Sequence, residues 1–384
     1  MTLKYLVVGA AGGLGRYVLD HFVANKPTHE FAAASTKESN RKQFEDRGIA
    51  FRRVDYEDTA SLDAAFHDVE NVLFVSTNTF DNEKRRKQHQ NFVDAAKRNA
   101  VKHVWYTSLA FGGFESNSKA TVQTAHLETE EMLRTSGVTY TSIREGAYTD
   151  AFPVFLNWYP DSTTVPFPTD GPIAFTLRSE LGEATARLMI AGGHENEIVL
   201  LTAEGTVRPS EIVDIINQTT GRQVKFERVS GEEYVRTYAE NDEGGKPKAF
   251  FEQTLTWYEG IEKGELATTH PLMKELLGRE PTKPRDAIKA LLTENPNYTW
   301  HQNYLSPPPT YTRVEDPRNV IEHTLENRTV RKWLNGVVIQ DELRYLTFTA
   351  LRFNQGLYKG AKEAPDLCIR PDNQPLPILA IEGG

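Results

Sequence analysis

The sequence predicts an α/β protein: a doubly wound parallel sheet, a smaller α+β lobe, and a mostly helical C-terminal extension. Three observations carry this. An apolar run at residues 5–8 enters Gly9, Gly12 and Gly15 and then an amphipathic segment at 17–23, which reads as strand, glycine turn and helix. Short apolar runs then alternate with helical stretches up to about residue 150. Beyond that point prolines and aromatics replace the alternation.

Taken in order, the second and third strands are expected at 30–34 and 51–54, and the fourth at 72–76, where an apolar run ends in small polar residues. Phe92, Val93, Ala95 and Ala96 give the stretch 88–100 a helical face leading into a fifth strand at 101–108. A helix at 124–134, closed by Ser136-Gly137, precedes a strand at 138–143. This order implies parallel strands with right-handed crossovers and ligands at their carboxyl ends. Residues 1–150 are therefore read as the dinucleotide-binding domain, with later segments returning to it.

Residues 151–296 are read as a substrate lobe. It holds a helix near 209–218, an edge strand at 224–229 and helical structure over 260–290. Its stretch 152–172, with Trp158 and Tyr159, is expected to line a pocket for a bulky apolar substrate. Residues 297–384 open with Ser306 and three prolines and carry helical patterns at 317–334 and 340–357. This extension is too rich in large apolar residues for disorder and is read as a lid or the arm of a homodimer.

Bulk properties exclude several classes. No apolar run approaches the roughly 18 residues of a membrane span, and the N-terminus enters a strand rather than a signal peptide. The single cysteine, Cys368, excludes an intrachain disulfide and a cysteine-based zinc site, so no metal is expected and a reducing, cytoplasmic setting is. A net charge of −9 argues against nucleic acid as a partner. The basic run Lys84-Arg85-Arg86-Lys87 opens a helix and reads as a solvated face. What remains is a small-molecule site.

The glycine turn is the candidate phosphate cradle. Gly9, Ala11, Gly12, Gly13, Leu14 and Gly15 would offer backbone N–H groups at a helix N-terminus, where the dipole favours an anion. The residue ending the second strand of such a sheet selects the cofactor. Here Ser35, Thr36 and Lys37 suit the 2′-phosphate of NADP(H), with Glu38 nearby as a contrary sign. Asp55 and Tyr56 follow the third strand, where an acid bonds the adenine amine or simply caps a turn. Ser76, Thr77 and Asn78 end the fourth strand and Thr107 the fifth, beside the expected ribose and nicotinamide.

Catalytic candidates are Ser108, His126 and Tyr148. Typical short-chain reductases pair a serine with Tyr-x-x-x-Lys, in which lysine lowers the tyrosine pKa. The one such spacing here, Tyr358 to Lys362, lies far from the fifth strand and reads as coincidence. In its place stand His126, Thr129 and Glu130, near one helix face. His126 would donate a proton or orient a substrate oxygen, or else be an ordinary helix histidine. Lys119 is an alternative donor.

Together these residues resemble the NmrA-like family of atypical short-chain reductases. The matching pieces are Gly9-x-x-Gly12-x-x-Gly15, Val54-Asp55-Tyr56 with Ser61-Leu62-x-x-Ala65-Phe66, and Asp94-Ala95-Ala96-Lys97. His126-Leu127-Glu128-Thr129-Glu130, Ser136-Gly137-Val138-Thr139-Tyr140-Thr141 and Ile143-Arg144-x-Gly146-x-Tyr148 complete the set. The pieces around His126 and Arg144 look most like the quinone oxidoreductase and triphenylmethane reductase branch. In the related isoflavone reductase branch a catalytic lysine falls close to the position of His126. The resemblance covers about residues 3–290 and implies a Rossmann body that binds NADPH, with a small substrate lobe. It implies hydride transfer to a quinone-like or other bulky electrophile, with His126 or Tyr148 as polar donor. Two alternatives stay open: a dinucleotide sensor without turnover, and a biosynthetic enzyme using the fold for a non-redox step such as isomerisation.

Overall fold

A computed structural model describes residues 2–299. The helices expected at 317–334 and 340–357, the 306–309 proline run, Cys368 and the Tyr358–Lys362 pair lie outside the described residues.

Seven parallel strands form the main sheet: β1 (Leu3–Val8), β2 (Phe31–Ser35), β3 (Ala50–Arg53), β4 (Val69–Phe74), β5 (His103–Leu109), β6 (Tyr140–Glu145) and β8 (Glu197–Leu201). Their order is β3-β2-β1-β4-β5-β6-β8. The chain winds outward from β1 in both directions, so the switch point lies between β1 and β4, where a ligand crevice opens at the strands' carboxyl ends. Strands of such a sheet are covered on both faces and read as near-continuous apolar runs. The all-buried Phe31-Ala32-Ala33-Ala34-Ser35 of β2 is one.

Side-chain alternation sends β residues to two cores. On one face Tyr5, Val7, Phe31 and Ala33 pack with Val18 and Phe22 of α1 (Gly13–Asn25) and Leu181, Leu188 and Met189 of α7 (Arg178–Ala191). On the other, Leu6, Val8, Ala32 and Ala34 meet helices α3 (Thr59–Phe66), α4 (Asn82–Arg98) and α5 (Thr121–Ser136). There Leu62, Phe66, Phe92, Val93 and Leu133 fill the space, with Phe74 and Phe92 stacked 3.8 Å apart. Short α2 (Arg41–Glu45) covers the β3 edge.

The lobe is built around a two-stranded parallel ribbon, β7 (Thr164–Phe167) with β9 (Lys225–Arg228). It includes α6 (Phe152–Leu156), α8 (Pro209–Thr220), α9 (Gly231–Asn241), α10 (Lys248–Glu262), α11 (Leu272–Leu277) and α12 (Pro284–Glu294). Phe167, Tyr234, Tyr258 and Phe251 form its aromatic core, tied by a 3.0 Å bond between the Tyr234 and Tyr258 hydroxyls.

Lobe and sheet body meet where α11 packs on α7 and β8, and again around the start of α5. Thr121 at the start of α5 receives the Trp257 indole N–H at 2.9 Å, and its own N–H bonds the Thr256 hydroxyl at 3.0 Å. Gly112 N–H donates to the Glu265 carbonyl at 2.8 Å. The lobe is not one continuous stretch of chain. After β7 the chain returns to the body through α7 and β8. α7 escapes an amphipathic reading because it is sandwiched: Glu180, Gly182, Ala184, Thr185 and Ala186 are buried along with its leucines. A Cβ on Gly182 would come within 2.4 Å of Tyr17 Cβ, so that glycine lets α7 lie directly on α1.

Candidate functional site

At the switch point the chain leaves β1 through Gly9, whose φ of +71° favours glycine. Ala10 N–H bonds the Ala34 carbonyl at 3.0 Å, fastening the turn to β2. Gly12 N–H closes on the Gly9 carbonyl at 2.8 Å, and α1 begins at once, four residues earlier than the amphipathic pattern indicates. A Cβ on Gly15 would stand 2.3 Å from the Gly9 carbonyl oxygen, so strand and helix approach this closely only with glycine there. Ala11, Gly12 and Gly13 are exposed.

The N-terminus of α1 has no side-chain cap and no acid in its first turn. Asp58 and Asp81, by contrast, cap α3 and α4 by accepting from Ser61 and Lys84 N–H at 3.1 and 3.0 Å. The donors at Gly13 and Leu14 are thus left to an outside anion, and the cradle fits a dinucleotide pyrophosphate. One cation already leans on it. Arg178, at the start of α7, would lie 2.0 Å from a Cβ on Gly13. Its guanidinium pairs with Asp150 at 2.9 Å and covers the Tyr148 ring at 4.4 Å.

At the end of β2, Ser35 is buried and accepts from Asn40 Nδ2 at 2.8 Å, while Thr36 and Lys37 are exposed. Register places Arg53 of β3 directly beside Ser35. Arg53 pairs with Asp58 at 2.7 Å and Asp55 at 3.2 Å, and Arg41 pairs with Glu38 and Glu45. Asp55 also accepts Glu57 N–H at 3.0 Å, so its carboxylate shapes the turn after β3. Tyr56 donates to the Val75 carbonyl at 2.8 Å and packs edge-on against Phe74 and Phe92. Burial raises its hydroxyl pKa well above the usual value.

After β4 the chain runs through Ser76, Thr77 and Asn78. Ser76 N–H bonds the Thr107 hydroxyl at 3.0 Å and Thr77 N–H bonds His89 Nε2 at 3.2 Å; Asn78 is exposed. Next, Phe80 stacks on Trp257 and meets Phe250 edge-on, an aromatic wall between body and lobe. Trp158 is enclosed in the lobe beside Phe152, and Tyr159 bonds the buried Asp242–Lys246 pair, so these two hold the lobe together.

His126, Thr129 and Glu130 do share one face of α5, and that face is buried against the sheet. His126 Nδ1 meets the Tyr106 hydroxyl at 2.8 Å. Burial first, then the positive charge of Arg85 and Arg144, holds its pKa well below the usual range. It is therefore neutral near pH 7 and carries no imidazolium proton, so the structure places it as a core hydrogen-bonding group. Ser108 donates to Glu130 Oε1 at 2.8 Å inside a buried ion pair with Arg144. Lys119 is exposed on the loop before α5.

Tyr148 lies at the site. It follows β6, packs against the cluster that contains Ala10 and Leu14, and donates to Glu145 Oε2 at 2.7 Å. Glu145 is 1% exposed, and burial pushes its carboxyl up to about 8. Arg53, Glu145 and Arg178 were missed by sequence reasoning. Arg53 was within reach, since a basic residue ending the third strand neighbours the end of the second. Arg178 depended on finding α7.

Fold and site together define an α/β dinucleotide-binding protein. Residues 1–276 match the NmrA-like family, and the chain belongs to it. It is 53% identical over 304 residues to the NmrA-like family domain-containing oxidoreductase flvB of Aspergillus flavus, covering 79% of this chain and 99% of that one. Among solved structures it resembles the Citrobacter sp. triphenylmethane reductase complexed with NADP(H), at 30% identity and TM-score 0.66, covering 75% of this chain and 99% of the other. It also resembles the Escherichia coli NADPH-dependent quinone oxidoreductase complexed with NADPH, at 26% identity and TM-score 0.66, over 75% and 100%. Among the described residues no helix is long and apolar enough to cross a membrane, and no cluster of three or more His, Cys, Asp or Glu could hold a metal.

Proposed function

We propose that this protein is an NADPH-dependent reductase that delivers hydride to a bulky, electrophilic small molecule such as a quinone. The observation that carries the reading is the uncapped Gly12–Leu14 cradle at the β1/β4 switch point, exposed at Gly12 and Gly13. The 53% identity to an oxidoreductase and the two NADPH-bound neighbours support it. The backbone N–H groups of Gly13 and Leu14, with Arg178 and with Gly12 leaving room for the approach, would hold the pyrophosphate. Thr36, Lys37 and Arg53 would face the 2′-phosphate, Arg53 exchanging an aspartate for it. The loop Ser76–Asn78 would flank the ribose and nicotinamide. Bound there, NADPH supplies the hydride; Phe80, half-buried and backed by the buried rings of Phe250 and Trp257, would give a flat acceptor an apolar contact.

Calorimetry tests the cofactor assignment. NADPH should bind at least tenfold more tightly than NADH, and Lys37→Glu should narrow that ratio. Equal affinities in the natural protein would refute the assignment to Thr36, Lys37 and Arg53. Binding without oxidation by any acceptor would make the protein a dinucleotide sensor instead.

A further inference from the structure

We propose that Glu145 and Tyr148 form a proton relay: Tyr148 gives the substrate the proton that accompanies the hydride, and Glu145 resupplies Tyr148. This rests on the reductase reading. The two residues sit at the carboxyl end of β6, the end at which the glycine cradle opens. The Tyr148 hydroxyl and Glu145 Oε2 are 2.7 Å apart. The other carboxyl oxygen, Oε1, is buried with no hydrogen-bond partner. A buried carboxylate with one bare oxygen is costly, whereas a neutral carboxylic acid tolerates it.

The surroundings keep the proton on Glu145. Across the sheet it pairs with Leu109 of β5 and Leu201 of β8, which bring no charge. The charged or titratable groups acting on it are Tyr148 and, from α7, Arg178, which is itself paired with Asp150. Desolvation is the largest influence and raises the carboxyl to about 8, so the acid is mostly protonated at pH 7. Tyr148 is half-buried and places this acid next to the glycine cradle: Arg178 covers its ring and also rests on Gly13. Two other candidate donors are engaged elsewhere, His126 with Tyr106 and Ser108 with Glu130, and Lys119 is exposed on the loop before α5.

The chemistry balances for a quinone. The quinone receives a hydride, two electrons and a proton, from NADPH, which becomes NADP⁺. The oxyanion so formed takes the phenolic proton of Tyr148, whose O–H bond breaks as the new O–H bond forms. Tyr148 recovers a proton from the Glu145 carboxyl, and the Glu145 carboxylate regains one from solvent. A triarylmethyl cation needs only the hydride, because its product is neutral without a proton. The relay thus matters for one acceptor and not for the other.

The experiment compares naphthoquinone with malachite green as acceptors for the full chain and NADPH. Glu145→Gln and Tyr148→Phe should each lower the ratio of quinone to dye turnover by about tenfold or more. In the natural protein quinone turnover should fall as pH rises through about 8, the acid being loaded below that value and empty above it; this limb should vanish in Glu145→Gln. Infrared spectra of the protein without NADPH give a readout independent of turnover: a carboxylic C=O band that titrates near pH 8 and is lost in Glu145→Gln. Tyr148→Phe keeps Glu145 in place and serves if the glutamine variant does not fold. An unchanged ratio in an active enzyme, or no such band, would overturn the relay alone. Natural protein that oxidises NADPH with neither acceptor would overturn the reductase reading, and the relay with it.

Discussion

Replacing Arg144 by Met should be among the most damaging single changes in the body of the protein. Arg144 is fully buried, and all five of its N–H donors are used. Nε and one Nη2 proton bond the Glu130 carboxylate at 3.0 and 2.7 Å. The second Nη2 proton bonds Ser116 Oγ at 2.9 Å, and Nη1 bonds the carbonyls of Gly113 and Glu115 at 2.8 and 2.7 Å. The side chain thus stitches β6 to α5 and to the 110–120 loop that meets the lobe. Methionine fills much of the volume but leaves the Glu130 charge with only the Ser108 and Ser142 hydroxyls. Breaking a buried pair from one side costs about 3–5 kcal/mol. At a denaturant slope of about 3 kcal/mol per M urea this moves the unfolding midpoint down by about 1–1.7 M. Adding Glu130→Gln to Arg144→Met should restore part of the loss, because the stranded charge is gone. A midpoint shift under about 0.3 M for Arg144→Met would refute the claim that this pair pins the loop.

Other consequences are open to test. Gly15→Ala puts a Cβ 2.3 Å from the Gly9 carbonyl oxygen, so it should cost about 2 kcal/mol by urea unfolding and weaken NADPH binding more than tenfold. His89 and His103 are held neutral by burial, to about 3 and about 4, so the unfolded chain binds protons below pH 6.5 that the folded chain refuses. Stability should therefore fall as pH drops from about 6.5 toward 4, and His89→Gln should flatten that slope; an equally steep slope would count against it. Glu145 acts in the opposite sense. Its raised pKa makes its contribution full below about 4.5 and lost as pH rises through about 8. Glu145→Gln should remove that alkaline loss, as melting curves from pH 5 to 9 would show.

Much of the sheet was legible because parallel strands buried on both faces write themselves as apolar runs. Residues 31–34 and 72–74 needed nothing more. Among the helices that escaped, α7 has a pattern set by two partners at once. α7 lies between α1 and α11 and buries Glu180 and Thr185, which no single apolar stripe would signal. The glycine turn was readable because only glycine satisfies the φ of Gly9 and the Gly15–Gly9 approach. The catalytic candidates were harder, since spacing along a helix shows which residues share a face but not where the face points. His126 and Glu130 share theirs, and it turns to the core. Glu145 was invisible because a lone glutamate on a strand gains meaning only when burial and the Tyr148 hydroxyl are known.

The most direct test of the account is NADPH oxidation followed in the presence of a panel of quinones and a triphenylmethane dye, with Gly15→Ala alongside. Acceptor-dependent oxidation by the natural protein is expected, faster with NADPH than with NADH, and lost in Gly15→Ala. No oxidation with any acceptor, by protein that calorimetry shows to bind NADPH, would contradict it.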